Sequence, residues 1–383
     1  MKKFKKLISL LLVTGLAVAS LTACGSAKSD MFYIGGIGPV TGGAAVYGQS
    51  VKNAAELAVD EINKAGGIAG KQIAFKFEDD EHDPEKSVNA YNTLKDWGMQ
   101  ILMGTVTSTP CKAVAAETFT DNMFQLTPSA SSVDVIKNGN VFQVCFTDPN
   151  QGIASAEYIG SKKIATKVAV IYDSSDVYSS GIYEKFAQEA ANQKLEIVAA
   201  EAFTSDSKSD FSVQIQKAKD AGAELVFLPI YYTEATLILT QAASLGYDPI
   251  FFGCDGLDGI LGVENFDTSL AEGVMLLTPF AADSEEAATV KFVAAYKEKY
   301  GEIPNQFAAD AYDAIYIIKA AIEKGGVKAD MSISDMCDSL KGAITQISVD
   351  GLTGAGMTWS ATGEVNKAPR AVKIQNGSYI SAE

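Results

Sequence analysis

The 383 residues carry 31 basic and 47 acidic side chains, a formal net charge of −16, and 47% apolar residues. That balance repels phosphate backbones, and no basic cluster outside the first few residues argues for a nucleic-acid partner. The length exceeds a usual single core, so two domains are expected.

The N-terminus reads Lys2, Lys3, Lys5 and Lys6, then an apolar run over 7–19, then Leu21-Thr22-Ala23-Cys24. A basic start and an apolar run too short to span a bilayer mark an export signal. Residues 1–23 hold four lysines and no acids, so their removal takes the charge to about −20. No later run has the roughly 18 apolar residues of a membrane span. Residues 24–30 read as a tether.

A strand is expected over 32–36, followed by the loop Gly36-Ile37-Gly38-Pro39-Val40-Thr41-Gly42. The loop misses the dinucleotide fingerprint: Thr41 holds the third position, and Pro39 removes an N–H that a pyrophosphate would need. Val51, Ala55, Ala58, Val59 and Ile62 recur at helical spacing, and Gly66-Gly67 ends that helix. Ile73, Phe75 and Phe77 alternate as a strand, and Asp83-Pro84 suits a cap and first helical position. The acidic run over 78–83 lacks the spacing and glycine of a calcium loop.

Two clusters of hydroxyls, Thr107/Ser108/Thr109 and Ser129/Ser131/Ser132, follow the short apolar runs 101–103 and 123–126. In an open parallel sheet the crevice beyond the carboxyl ends of the strands is where ligands bind. Residues 142–152 read as a crossing segment, after which strands are expected at 168–173, 197–203, 225–230 and 250–253. Strand and helix thus alternate twice over, the pattern of two doubly wound α/β lobes. Further crossings are expected at 274–279 and 350–356, with helices at 285–300 and 306–324.

Asp255 follows the 250–253 strand and is placed to pair with an ammonium group, although an Asp-Gly turn has the same sequence. His82 is the only histidine, which rules out an HExxH metal site, and no Gly-x-Ser-x-Gly elbow is present. Cys111, Cys145, Cys254 and Cys337 show no CxxC or zinc spacing, so no metal or other cofactor is expected. Their spacing does not say whether any pair is bridged.

Several of these pieces resemble the branched-chain amino-acid binding proteins, the solute receptors of ABC importers with the type I periplasmic-binding-protein fold. They are Gly38-Pro39 with Tyr47-Gly48, the run over 58–63 ahead of Gly66-Gly67-Ile68, Asp79-Asp80 with Asp83-Pro84, Thr127-Pro128-Ser129-Ala130, and Gly253-Cys254-Asp255-Gly256. The resemblance implies two doubly wound lobes joined by a three-segment hinge. It places the first lobe at 31–147 plus 279–352 and the second at 148–278 plus 353–383.

It further implies that Ser108 receives the ligand carboxylate through its hydroxyl and backbone N–H, and that the Ser129 carbonyl and the Ser131 hydroxyl help to hold the amino group. Asp255, where many members carry glutamate, takes the ammonium. Tyr178 closes on the carboxylate, Tyr231 is a second-lobe wall, and Tyr47 and Phe307 line the side-chain pocket. His82 and Thr107 fall where one member type has a disulfide. Leu-Thr-Ala-Cys looks like a lipobox, which makes Cys24 a lipid anchor to the outer face of the membrane. The implied protein is a monomeric, non-catalytic receptor that passes an amino acid to ABC permease subunits, with branched-chain aliphatics first and other neutral amino acids or amides next. The alternative, a sensing domain for a signalling partner, would be recognised by a fused transmembrane, kinase or DNA-binding segment, which is not seen in the sequence.

Overall fold

The computed structural model describes residues 30–382. The export signal, the lipobox and Cys24 lie outside them. Five parallel strands form the first sheet: β1 (Met31–Gly38), β2 (Gln72–Asp79), β3 (Ile101–Gly104), β4 (Gln125–Thr127) and β5 (Val141–Gln143), in the order β2-β1-β3-β4-β5. The crossovers are α1 (Ala45–Lys64), α2 (Pro84–Trp97) and α3 (Ser108–Thr120). Val51, Ala54, Ala55, Ala58 and Ile62 give α1 a fully covered apolar stripe against the sheet. Asp83 caps α2 by accepting from the N–H groups of Glu85 and Lys86, with Pro84 in the first turn and Gly98 ending the helix in the left-handed region.

The second lobe opens with α4 (Asp148–Ser161). Its sheet then takes β6 (Lys167–Asp173), β7 (Glu196–Phe203), β8 (Leu225–Leu228), β9 (Ile250–Gly253) and β10 (Met275–Thr278), with α5 (Val177–Ala190), α6 (Ser212–Asp220) and α7 (Tyr232–Ser244) between them. Its order is β12-β11-β10-β9-β8-β6-β7. The last two strands, β11 (Arg370–Gln375) and β12 (Ser378–Ser381), run antiparallel at the edge. Residues 275–278, expected as a crossing, are strand β10, hydrogen-bonded between β9 and β11. Among the described residues no helix is long and apolar enough to cross a membrane.

Three helices between β10 and β11 return to the first lobe. They are α8 (Ala287–Tyr300), α9 (Gln306–Gly325) and α10 (Ile333–Ile344). Tyr312 and Tyr316 of α9 donate to Glu61 of α1, and Lys299 pairs with Asp60. The chain stays on the first lobe longer than the implied boundary at 353. Gln143 N–H donates to Gly363 O, Trp359 Nε1 donates to Gln143 O at 2.8 Å, and Lys367 Nζ donates to Val144 O at 2.8 Å. The reason is that β5 is an edge strand with unpaired backbone groups, and the turn between Trp359 and Val365 covers them. Only 370–381 joins the second sheet.

The four described cysteines are free and buried. Burial pushes the Cys111 thiol up to about 12 and Cys337 up to about 11, and raises Cys145 and Cys254 well above the ordinary thiol value.

Candidate functional site

The carboxyl ends of β3 and β4 in one lobe face the ends of β8 and β9 in the other. Between them lies a narrow cavity lined by Val106, Thr107, Ser108 and Ser129 from below, Tyr178, Tyr231, Asp255 and Gly256 from above, and Phe307 at one side. Six of the eight residues singled out from sequence line it. Tyr47 and Ser131 do not.

Ser108 is the first residue of α3, so its backbone N–H belongs to the unpaired donors of a helix start. Its Oγ accepts from Ser132 N–H at 3.2 Å, which fixes the hydroxyl against the β4 loop. Ser129 spends its hydroxyl on Val106 O at 2.7 Å and offers only its backbone to the cavity. Ser131 lies outside the lining beside the buried Asp148; its hydroxyl makes no hydrogen bond of normal geometry, though it is near enough to favour the charged form of that carboxyl. The signal that flagged it, a hydroxyl in a cluster at a strand end, does not distinguish a side chain facing the cleft from one facing the base of α4.

Asp255 opens a single 3-10 turn directly after β9 and is 3% exposed. Tyr178 Oη donates to Asp255 Oδ1 at 2.8 Å and accepts from Gly256 N–H at 2.9 Å. The tyrosine therefore serves the carboxylate of Asp255, whereas the resemblance assigned it to the carboxylate of a ligand. Burial pushes the Asp255 carboxyl up to about 7, against the stabilising bonds from Tyr178 and Gln151. Asp148, also buried, has both carboxylate oxygens without a hydrogen bond, and burial raises its carboxyl well above the usual range.

An aromatic wall completes the cavity. Tyr231 stacks on Tyr178 with ring centroids 4.8 Å apart and 10° between planes, and Tyr47 lies 4.1 Å from Phe307. Tyr47 reaches across the cleft from the first turn of α1. Its hydroxyl donates to Gly256 O and accepts from Tyr232 N–H at 3.2 Å. Val46 N–H to Tyr232 Oη, Thr233 Oγ1 to Gly43 O, and Thr109 Oγ1 to Asp176 Oδ1 also bridge the lobes. Tyr47 is thus part of the closure rather than of the cavity surface.

Val106, Thr107 and Gly256 line the cavity without having been assigned there, though Thr107 belongs to the flagged hydroxyl cluster. Gln151 Oε1 accepts from Asp255 N–H, and Gln306 Nε2 donates to Asp255 O at 3.4 Å; no local sequence signal marks either. His82 Nδ1 lies 2.8 Å from Thr107 Oγ1, a hydrogen bond at the two positions expected to replace a disulfide. Among the described residues no cluster of His, Cys, Asp or Glu has the arrangement of a metal site.

Gly256 is required by its neighbours. A Cβ there would lie 2.6 Å from both Ile230 O and Tyr178 Oη. Gly256→Ala is expected to push the Tyr178 hydroxyl off Asp255 and weaken ligand binding by about tenfold, measured by titration calorimetry.

A sequence profile of the periplasmic binding protein family matches residues 32–378. The Leu/Ile/Val-binding protein homolog 3 of Brucella melitensis is 32% identical over 84% of this chain and 87% of its own length. The leucine-, isoleucine-, valine-, threonine- and alanine-binding protein of Pseudomonas aeruginosa is 27% identical over 85% of each chain. Among solved structures, the branched-chain amino-acid transporter substrate-binding protein LivJ of Streptococcus pneumoniae, in complex with isoleucine, superposes with a TM-score of 0.83 at 29% identity, covering 92% of this chain and 99% of that one. Two doubly wound lobes around an interlobe cavity, together with a profile that spans nearly the whole described chain, establish that this protein belongs to the periplasmic binding protein family.

Proposed function

We propose that the chain is the extracytoplasmic receptor of an ABC importer, which captures a small α-amino acid between its lobes and presents it to the permease. One observation carries this reading. A helix N-terminus at Ser108 and a buried carboxylate at Asp255 face each other across a narrow cavity with aromatic walls. A helix start favours a carboxylate and a buried aspartate favours an ammonium, the two ends of an α-amino acid. Val106, Tyr231 and Phe307 supply apolar surface for an aliphatic side chain, and the relatives named above bind such amino acids.

In this reading Ser108, Ser129 and Asp255 contact the ligand, Tyr178 positions Asp255, Tyr231 and Phe307 shape the pocket, and Tyr47 holds the lobes together over it. The protein acts as a non-catalytic monomer held to the outer face of the cytoplasmic membrane by a lipid on Cys24. Calorimetric titration of the lipid-free mature chain with a panel of amino acids tests it. Submillimolar binding of leucine, isoleucine or valine is expected; no binding across the panel rejects the amino-acid reading. Recovery of the ligand chemically altered after long incubation rejects the non-catalytic one.

Affinity should also depend on pH. The ligand ammonium selects ionised Asp255, whose carboxyl burial pushes up to about 7. Protons and ligand therefore compete. The dissociation constant is expected to be flat above pH 7 and to rise below it, approaching about tenfold per pH unit.

A further inference from the structure

A second cavity, of about 110 Å³, adjoins the first: Tyr231 is a wall of both, and His82 of the second is hydrogen-bonded to Thr107 of the first. Its charged lining is unbalanced: Glu81, Asp173, Asp176 and Glu234 face one lysine, Lys208, and the single histidine, His82. Three of the acids have partners. Glu81 pairs with Lys86, Asp173 Oδ1 accepts from Ser175, and Glu234 lies 3.4 Å from Lys208.

Asp176 differs from them. It is 8% exposed, and its Oδ1 accepts from Thr109 Oγ1 at 2.7 Å. Its Oδ2 makes no hydrogen bond, and burial raises its carboxyl above the ordinary carboxylate range, against the opposing pull of the Thr109 and Tyr231 hydroxyls. A buried carboxylate oxygen beside an open cavity gains from a cation more than a solvated one does. His82 does not supply that cation, because burial lowers its pKa and its Nδ1 is engaged with Thr107. Among the described residues no group of His, Cys, Asp and Glu has the arrangement of a metal site.

We propose that the outer cavity is a second subsite, which takes the guanidinium or ammonium end of a long cationic side chain while the α-amino and α-carboxyl groups of the same amino acid occupy the inner cavity. This rests on the amino-acid reading above and extends its substrate class from aliphatic to basic amino acids. Tyr231 and the His82–Thr107 pair are the partition along which such a side chain passes. Asp176 is the residue that selects its charge.

The test is calorimetry on the mature chain with L-arginine, L-citrulline and L-leucine. Citrulline keeps the length of arginine without its charge. Arginine is expected to bind about tenfold or more tightly than citrulline, and Asp176→Asn to lower the arginine-to-leucine affinity ratio by about tenfold. Asparagine can still accept from Thr109, and the ratio cancels any loss of closure that both ligands share. Thr109→Val, which removes only the interlobe bond, should weaken both ligands alike and leave the ratio unchanged. Arginine binding no tighter than citrulline, or an unchanged ratio in Asp176→Asn, overturns the subsite. Leucine binding without arginine binding overturns the subsite alone, whereas absence of binding by all three overturns the amino-acid reading with it.

Discussion

Replacing Asp255 with alanine should weaken binding of the best amino acid by about ten- to a hundredfold, the range expected when a charge-assisted hydrogen bond worth about 1.5–3 kcal/mol is lost. The carboxylate is 3% exposed, so water replaces it poorly. Two further effects add to the loss. Tyr178 loses its acceptor at Oδ1, and the ammonium must enter a buried site with no anion directly opposite. Asp255→Asn separates these effects, since the amide oxygen can keep the tyrosine bond while the charge is gone. Its affinity should fall nearly as far as that of the alanine variant, and the steep acid dependence of binding should disappear. Calorimetry at pH 6 and pH 8 reads both outcomes. An unchanged affinity in either variant would show that the ammonium is held elsewhere.

The largest effect on stability is expected at Lys367. Its Nζ lies 2.7 Å from Asp310 Oδ1, with both side chains 1% exposed, and it also donates to Val144 O. The ion pair therefore ties α9 and the end of β5 to the segment leading into β11. Lys367→Met leaves the carboxylate uncompensated and should cost about 3–5 kcal/mol of unfolding free energy at pH 7. The pH dependence has a definite sign. Burial already pushes the Asp310 carboxyl up to about 6 with the lysine present, and losing that cation raises it further. Ionising a carboxyl whose folded pKa is raised costs stability as pH climbs from its unfolded value. The deficit of the variant is thus smallest near pH 4 and grows toward neutrality. The double variant Lys367→Met/Asp310→Asn should recover part of the loss at pH 7, measured by denaturant unfolding followed by circular dichroism.

Much of the site was legible because a parallel sheet brings the residues after its strands to one edge. Ser108 follows β3 within four residues, Asp255 follows β9 within two, and Tyr178 stands in the first turn after β6. Local sequence is enough to place such residues at the cleft. It does not fix what their side chains do there. Tyr178 donates to Asp255, and Ser131 turns toward Asp148, because Asp148 lies beneath one loop and Asp255 beside the other; only the tertiary fold brings them near. The fold was legible wherever apolar alternation or helical spacing was clear. It failed at β10, a four-residue strand with no alternation, and at 353–369, where the partner is an edge strand more than two hundred residues earlier. The outer cavity was invisible for the same reason. His82, Asp176, Lys208 and Glu234 come from four separate connections and share no motif.

The four buried thiols give the molecule a built-in stopwatch. Each is protected from solvent, and the thiolate that would react is suppressed by burial. A thiol reagent can therefore modify them only when the chain opens around them. Cys111 sits in the first lobe, Cys254 at the end of β9 in the second, and Cys145 in a segment between the two sheets. Identifying which position reacts first would time the opening of each lobe separately from the opening of the cleft, without a single substitution or attached dye.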